Sequence, residues 1–216
     1  MRHIQHNTNA PPSLAAEFRR NPHPTVPRDA WEQFDSGELR EHLWDLQFGL
    51  CAYCERVIEP LPGQSSIEHI IPKTQNPGVT FQYTNLVLCC VDQMTCNLKK
   101  KGQYFGGFDV TGRWSQGFVA PTQPRCETSF EYKRDGSIRA TDGVDQEEAI
   151  ETIRILNLDH GPLETERANH MAQIEWAVDA MSDQLDAVLA FLRQELSLGA
   201  LKPFYSAKNH NFRIPV

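Results

Sequence analysis

Apolar residues recur at helical spacing in three stretches of the chain. Between Glu38 and Phe48, Leu39, Leu43 and Leu46 share one face, with Asp35 and Ser36 as cap candidates and Gly49 as a stop. Residues 145 to 157 predict a second helix. Leu163 to Leu196 predicts a longer helical stretch, in which Ile174, Val178, Met181, Leu185, Val188 and Leu192 form a seam that wants another helix against it. Packing of that seam within the same chain is favoured over a partner coiled coil.

Elsewhere the pattern shortens. Gln64-Ser-Ser-Ile-Glu68-His69-Ile-Ile-Pro72-Lys73 is apolar and β-branched until Pro72 ends it, which predicts a strand. Successive strand residues alternate sides, so Glu68 and His69 should face opposite ways unless a bend intervenes. A Gln75-Asn-Pro-Gly78 turn precedes Phe81 to Leu88, whose apolar end runs into Cys89 and Cys90. Asn97-Leu-Lys-Lys-Lys101 consists of helix formers stopped by Gly102. Phe130 to Arg139 alternates around Asp135-Gly136, a hairpin signal. These elements predict an α+β protein.

Composition narrows the function classes. Hydrophobic residues make up 40% of the chain and charged residues 23%, an ordinary balance that argues against disorder throughout. Met1 to Pro27 is polar and carries no apolar leader core, and no run is long enough to span a membrane, so a cytoplasmic protein is expected. The net charge of −7 argues against a nonspecific polycationic binder but leaves room for a small nucleic-acid site. Lys99, Lys100 and Lys101 form a local basic run that, alone, reads as a solvated face.

The cysteines add chemistry. Six of them in a chain with no export signal should be reduced thiols, and their spacing is that of metal ligands. Cys51-Ala-Tyr-Cys54 is a tight knuckle, and Cys90 with Cys96 makes a looser one in which Cys89 is a possible substitute. Cys126 stands apart. Two such loops brought together can supply the four soft ligands of a structural zinc ion. The plainer alternative, small buried hydrophobes, does not account for two tight groups.

Taken in order, Cys-x2-Cys, Glu-His-x2-Pro-Lys, Asn-Leu-x-Leu-x-Cys and Cys-Asn-x2-Lys-x-Gly, the chain resembles the HNH endonucleases of the ββα-metal superfamily. More narrowly, Cys51-Ala-Tyr-Cys-Glu55, Ile67-Glu-His69 and the stretched second knuckle resemble the HNH nuclease subunit of Septu and retron-associated anti-phage systems. Phe130-Glu-Tyr-Lys-Arg-Asp-Gly-Ser-Ile138, Ile155-Leu-Asn-Leu158 and Pro203-Phe-Tyr-Ser206 extend the likeness over most of residues 28 to 210.

The resemblance implies phosphodiester hydrolysis of nucleic acid, DNA rather than RNA, as the effector of a defence system that works with a partner ATPase. It implies His69 as the base that takes a proton from water, a role suited to an imidazole titrating near neutrality. Glu68 and Asn97 would be oxygen ligands of a catalytic Mg²⁺ or Mn²⁺, Asn85 a brace for the loop between the strands, and Cys51, Cys54, Cys90 and Cys96 the zinc ligands. Cys90 is preferred over Cys89 because of its distance from Asn85. Lys73, Lys100 and Lys101 become candidate phosphate contacts. Two departures are visible: five residues separate Cys90 from Cys96, where the family has two, and Glu replaces the commoner Asp before the histidine. If the longer loop displaces Asn97, Asp92 is the nearest alternative carboxylate. The expected organisation is a lead-in segment over 1–48, a nuclease core over 49–104, a loop and hairpin over 105–143 and a helical region over 144–216. The competing reading is a zinc-ribbon binding or adaptor module without catalysis, which would have no need of Glu68, His69, Asn85 and Asn97 together.

Overall fold

A computed structural model describes residues 1–6, 9–100, 118–143, 145–181, 186–191 and 201–212, with the backbone of two short strands, Gly107–Phe108 and Trp114–Ser115. Three helices lead in: α1 (Pro12–Arg20), α2 (Pro27–Glu32) and α3 (Gly37–Leu46). Strand β1 (Ser65–His69) then pairs antiparallel with β2 (Leu86–Cys90), and α4 (Cys96–Lys100) follows at once. The two short strands, β3 and β4, pair with each other. β5 (Phe130–Tyr132) and β6 (Ile138–Ala140) form a hairpin, and α5 (Gln146–Leu156), α6 (Gly161–Ala180) and α7 (Tyr205–Phe212) complete the described elements, with a helical segment at 186–191. The mixture of helices and small antiparallel sheets is the expected α+β architecture. Among the described residues no helix is long and apolar enough to cross a membrane.

The lead-in helix behaves as its pattern predicts. Leu39 and Leu43 are fully buried, and α3 packs on β2. The Asp35 carboxylate accepts from the Gly37 amide, whereas Ser36 makes no side-chain cap. Where α3 ends, Gln47 is buried: its amide donates to the carbonyls of Leu50 and Leu88 and its oxygen accepts from the Leu88 amide. A buried side-chain amide thus joins the helix end to β2 with its own polar atoms satisfied.

The hairpin turns at Gly136, whose φ of +83° suits glycine. A Cβ there would lie 1.9 Å from the carbonyl oxygen of Glu164, because the turn sits directly on α6. The buried Arg167 guanidinium fixes that contact by donating to the carbonyls of Gly136 and Leu158. α5 ends at Asn157 in the left-handed conformation, φ +53°, one of the few residues other than glycine that tolerates it.

The long C-terminal stretch differs from expectation. α6 leaves helical geometry at Met181, with φ −111° and ψ 12°, so no single helix runs from Leu163 to Leu196. Ile174 is buried, while Val178 and Val188 pack against the main core, so these three positions of the seam are covered by this chain itself. Leu185 and Leu192 lie outside the described residues.

Candidate functional site

The two cysteine loops meet as their spacing predicts. The first is pinned to β2 by the Ala52 amide, which donates to the Leu88 carbonyl at 3.0 Å. Inside the loop, the Cys51 amide donates to Arg56 O and the Glu55 amide to Cys51 O, with Glu55 at φ +62°. The second ends at Cys96, which has φ +57° and opens α4. All four sulfurs of Cys51, Cys54, Cys90 and Cys96 are buried and lie within 4.8 Å of one another. Cys51 Sγ is 3.8 Å from Cys96 Sγ, and Cys54 Sγ is 3.8 Å from Cys90 Sγ. A tetrahedral zinc with bonds of about 2.3 Å requires sulfur–sulfur edges of about 3.8 Å, so the donor set fits that ion. The Cys90 amide also donates to Cys51 Sγ, at 3.3 Å. Cys89, the neighbour of Cys90 on β2, is outside the four-sulfur group, and so is Cys126.

Arg56 and Glu55 anchor this centre, and neither was expected from the sequence. The Arg56 guanidinium pairs with Asp92 in the second cysteine loop and with Glu166 on α6. Asp92 is therefore committed to Arg56 and to the Met94 amide rather than to a site with Glu68. The buried Glu55 carboxylate accepts from the Arg2 amide at 2.7 Å and from both the amide and hydroxyl of Ser206. The position of Glu55 immediately after Cys54 was the available signal.

α4 lies on the Ser66 and Glu68 side of β1. Its Asn97 amide nitrogen donates to Ser66 Oγ at 3.0 Å. One turn later the Lys100 ammonium, 1% exposed, donates to Glu68 Oε1, to the Ile70 carbonyl at 2.8 Å and to the His69 carbonyl at 3.2 Å. Ser66 and Glu68 are two apart on the strand, and Asn97 and Lys100 three apart on the helix, so both pairs meet along one line. Lys100 thus points inward, where the sequence suggested a contact for phosphate on the surface. Because α4 begins at Cys96, Asn97 lies in its first turn rather than capping it. Burial pushes the Glu68 carboxyl above the ordinary carboxylate range, with the Lys100 ammonium pulling against that shift. Lys101 lies outside the described residues.

His69 occupies the other side of β1. Its Nε2 is 2.9 Å from the Thr80 carbonyl. A carbonyl can only accept, so in the neutral ring Nε2 carries the hydrogen and Nδ1 keeps the lone pair. The ring meets Trp31 edge-on at 4.4 Å, and Lys73 Nζ lies 5.9 Å from that indole. Burial, and then repulsion from the Lys73 ammonium, hold the imidazole well below its usual range, at about 3. Lys73 is itself half-buried, and burial lowers it against the opposing pull of Glu68.

Asn85 ties this corner together. Its Oδ1 accepts from the Ile71 amide at 2.8 Å, and its Nδ2 donates to the Ile71 carbonyl at 2.9 Å and to Val79 O at 3.3 Å. Its own carbonyl accepts from the Ile70 amide. The segment after β1 and the loop carrying Thr80 are thereby held to one side chain.

No family model matches the chain. It is 28% identical over 152 residues, 66% of this chain and 67% of the other, to a Vibrio cholerae serotype O1 biovar El Tor protein described as "Retron Vc95 putative HNH endonuclease". That similarity supports the HNH endonuclease family.

Proposed function

We propose that the protein is a metal-dependent HNH endonuclease with a zinc-stapled ββα-metal core, acting on the phosphodiester bonds of nucleic acid, with DNA the expected substrate. The observation that carries the proposal is the polarity of the His69 ring: with Nε2 held by Thr80 O, Nδ1 is the nitrogen left to take a proton. Asn85 supports the base indirectly, by fixing the loop that bears Thr80. An anionic phosphodiester brought next to the ring would favour the imidazolium and so offset the effect of burial.

Glu68 and Asn97, on the other side of β1, are the oxygen donors for a hard divalent ion; with the Asn97 nitrogen on Ser66, its amide oxygen is the atom such an ion would take. Bound there, Mg²⁺ or Mn²⁺ would supply positive charge for the leaving oxygen. Lys73, on the His69 side, is the favoured phosphate contact, with Lys101 as a further candidate.

The relative's name supports a retron-linked role, and we place this chain as the effector of an anti-phage system gated by a partner ATPase. The test is incubation of purified protein with plasmid and with tRNA, in Mg²⁺ or Mn²⁺ and with the partner added, beside His69→Ala. Metal-dependent cleavage lost in the variant supports the proposal. Undiminished cleavage by His69→Ala refutes the base assignment. One observation favours a non-catalytic zinc-ribbon adaptor instead: Glu68 is already neutralised by Lys100. No cleavage under any metal or partner condition would favour that reading.

A further inference from the structure

The surroundings of the Lys100 ammonium have an unusual composition. Among the described residues its acceptors are all oxygens: one carboxylate oxygen of Glu68 and the main-chain carbonyls of His69 and Ile70. A carboxylate with carbonyls is the donor set of a hard cation, and here an amine fills it. Lys100 and Glu68 are 1% and 8% exposed at their side chains, so solvent contributes little to either charge. A buried carboxylate left without a cation is costly, and so is a buried ammonium without acceptors. A divalent ion on Glu68 therefore has to contend with the ammonium already paired there.

We infer that Lys100 is a resident counter-ion that competes with the catalytic divalent ion for Glu68, making it a positioning residue that sets the metal concentration at which the site assembles. This inference rests on the assignment of Glu68 as a metal ligand. The Lys100 stem reaches the carboxylate from the end of α4, the helix that also carries Asn97 and the zinc ligand Cys96. The competition is thus built into the element that closes the site, and its strength depends on where the zinc holds α4.

The test is Mn²⁺ affinity, followed by electron paramagnetic resonance on the zinc-loaded full chain, for the parent, Lys100→Met, Lys100→Arg and Glu68→Gln. Lys100→Met should bind Mn²⁺ about tenfold more tightly, the factor that removing about 1.4 kcal/mol of competing attraction produces. Lys100→Arg should restore the parent's affinity, and Glu68→Gln should bind most weakly. A Lys100→Met protein with normal zinc content and circular dichroism but unchanged or weaker affinity overturns the inference.

Should the Met variant fail to fold, the parent provides a second measurement, reductive methylation of lysines mapped by peptide mass spectrometry. Mn²⁺ should raise labelling of Lys100 several-fold while leaving the exposed Lys99 constant. Flat Lys100 labelling at saturating Mn²⁺ also overturns the inference. If Glu68→Gln keeps the parent's affinity, the ion does not sit on Glu68, and the metal assignment of the proposed function falls with the competition. If Glu68→Gln loses affinity but Lys100→Met gains none, only the competition falls.

Discussion

Glu55 and Ser206, 151 residues apart in sequence, are joined by two hydrogen bonds: Oε2 accepts the Ser206 amide at 2.7 Å and Oε1 accepts its hydroxyl at 2.5 Å. The Phe204 amide donates to the Glu55 carbonyl as well. Two motifs linked in the sequence only by family resemblance, Cys-Ala-Tyr-Cys-Glu and Pro-Phe-Tyr-Ser, are therefore the two halves of one contact. It ties the first cysteine loop to the start of α7.

Glu55→Ala should destabilise the protein by about 2–4 kcal/mol, because it strands the half-buried amides of Arg2 and Ser206 as well as a hydroxyl. Ser206→Ala, which removes only the hydroxyl bond, should cost about 1 kcal/mol. The double variant should cost less than the sum, since the two residues share an interaction. Thermal or urea unfolding checks this. Strict additivity would mean that the contact contributes nothing of its own.

Zinc content separates the adjacent cysteines. Cys90→Ser should purify without zinc and with a disrupted module, since Cys90 Sγ is one corner of the tetrahedron. Cys89→Ala and Cys126→Ala should each keep about one zinc per chain, as expected where a single four-cysteine site holds the ion. Elemental analysis of the three proteins decides the matter, and zinc loss confined to Cys89→Ala would place the ligand register one residue off.

His69→Ala should reduce cleavage by about 10²- to 10⁴-fold with zinc content unchanged, the size expected for loss of a general base. Added Mg²⁺ or Mn²⁺ should not restore it. Asn85→Ala should lower cleavage and stability together, because the Ile71 amide and two carbonyls lose their partner. Rate against metal concentration, measured beside melting curves, distinguishes the two effects.

Gly136→Ala should destabilise by at least about 2 kcal/mol, since a positive φ is strained for alanine and the new carbon meets Glu164 O. A melting temperature equal to the parent's would show that the hairpin does not rest on α6 as described.

Much of this was legible because it is periodic or chemically conspicuous. Leu39 and Leu43 gave α3, Asp135-Gly136 gave the hairpin, and the four sulfurs gathered as their spacing predicted. What escaped was direction. Nothing in a basic run tells Lys100 from Lys99, and only the packing of α4 on β2 and α5 turns one inward to Glu68 and leaves the other in water. The break at Met181 was hidden because the apolar spacing continues across it, so periodicity alone predicts one helix where the backbone makes two segments. Gln47 and Glu55 were missed for a related reason: buried polar residues have no repeating pattern and are recognised only by the partners they satisfy.

β1 also acts as a partition. Lys100 and Asn97 meet the side chains on one surface of the strand, and Trp31 meets the imidazole on the other, so the two chemistries are insulated from direct side-chain contact. One contact across that partition is main-chain: the His69 carbonyl faces Lys100 although the His69 ring does not. Exchanging the side chain at position 69 therefore leaves the oxygen cage around Lys100 standing, and what still joins the two sides is charge, carried by Lys73 and Lys100 across the strand.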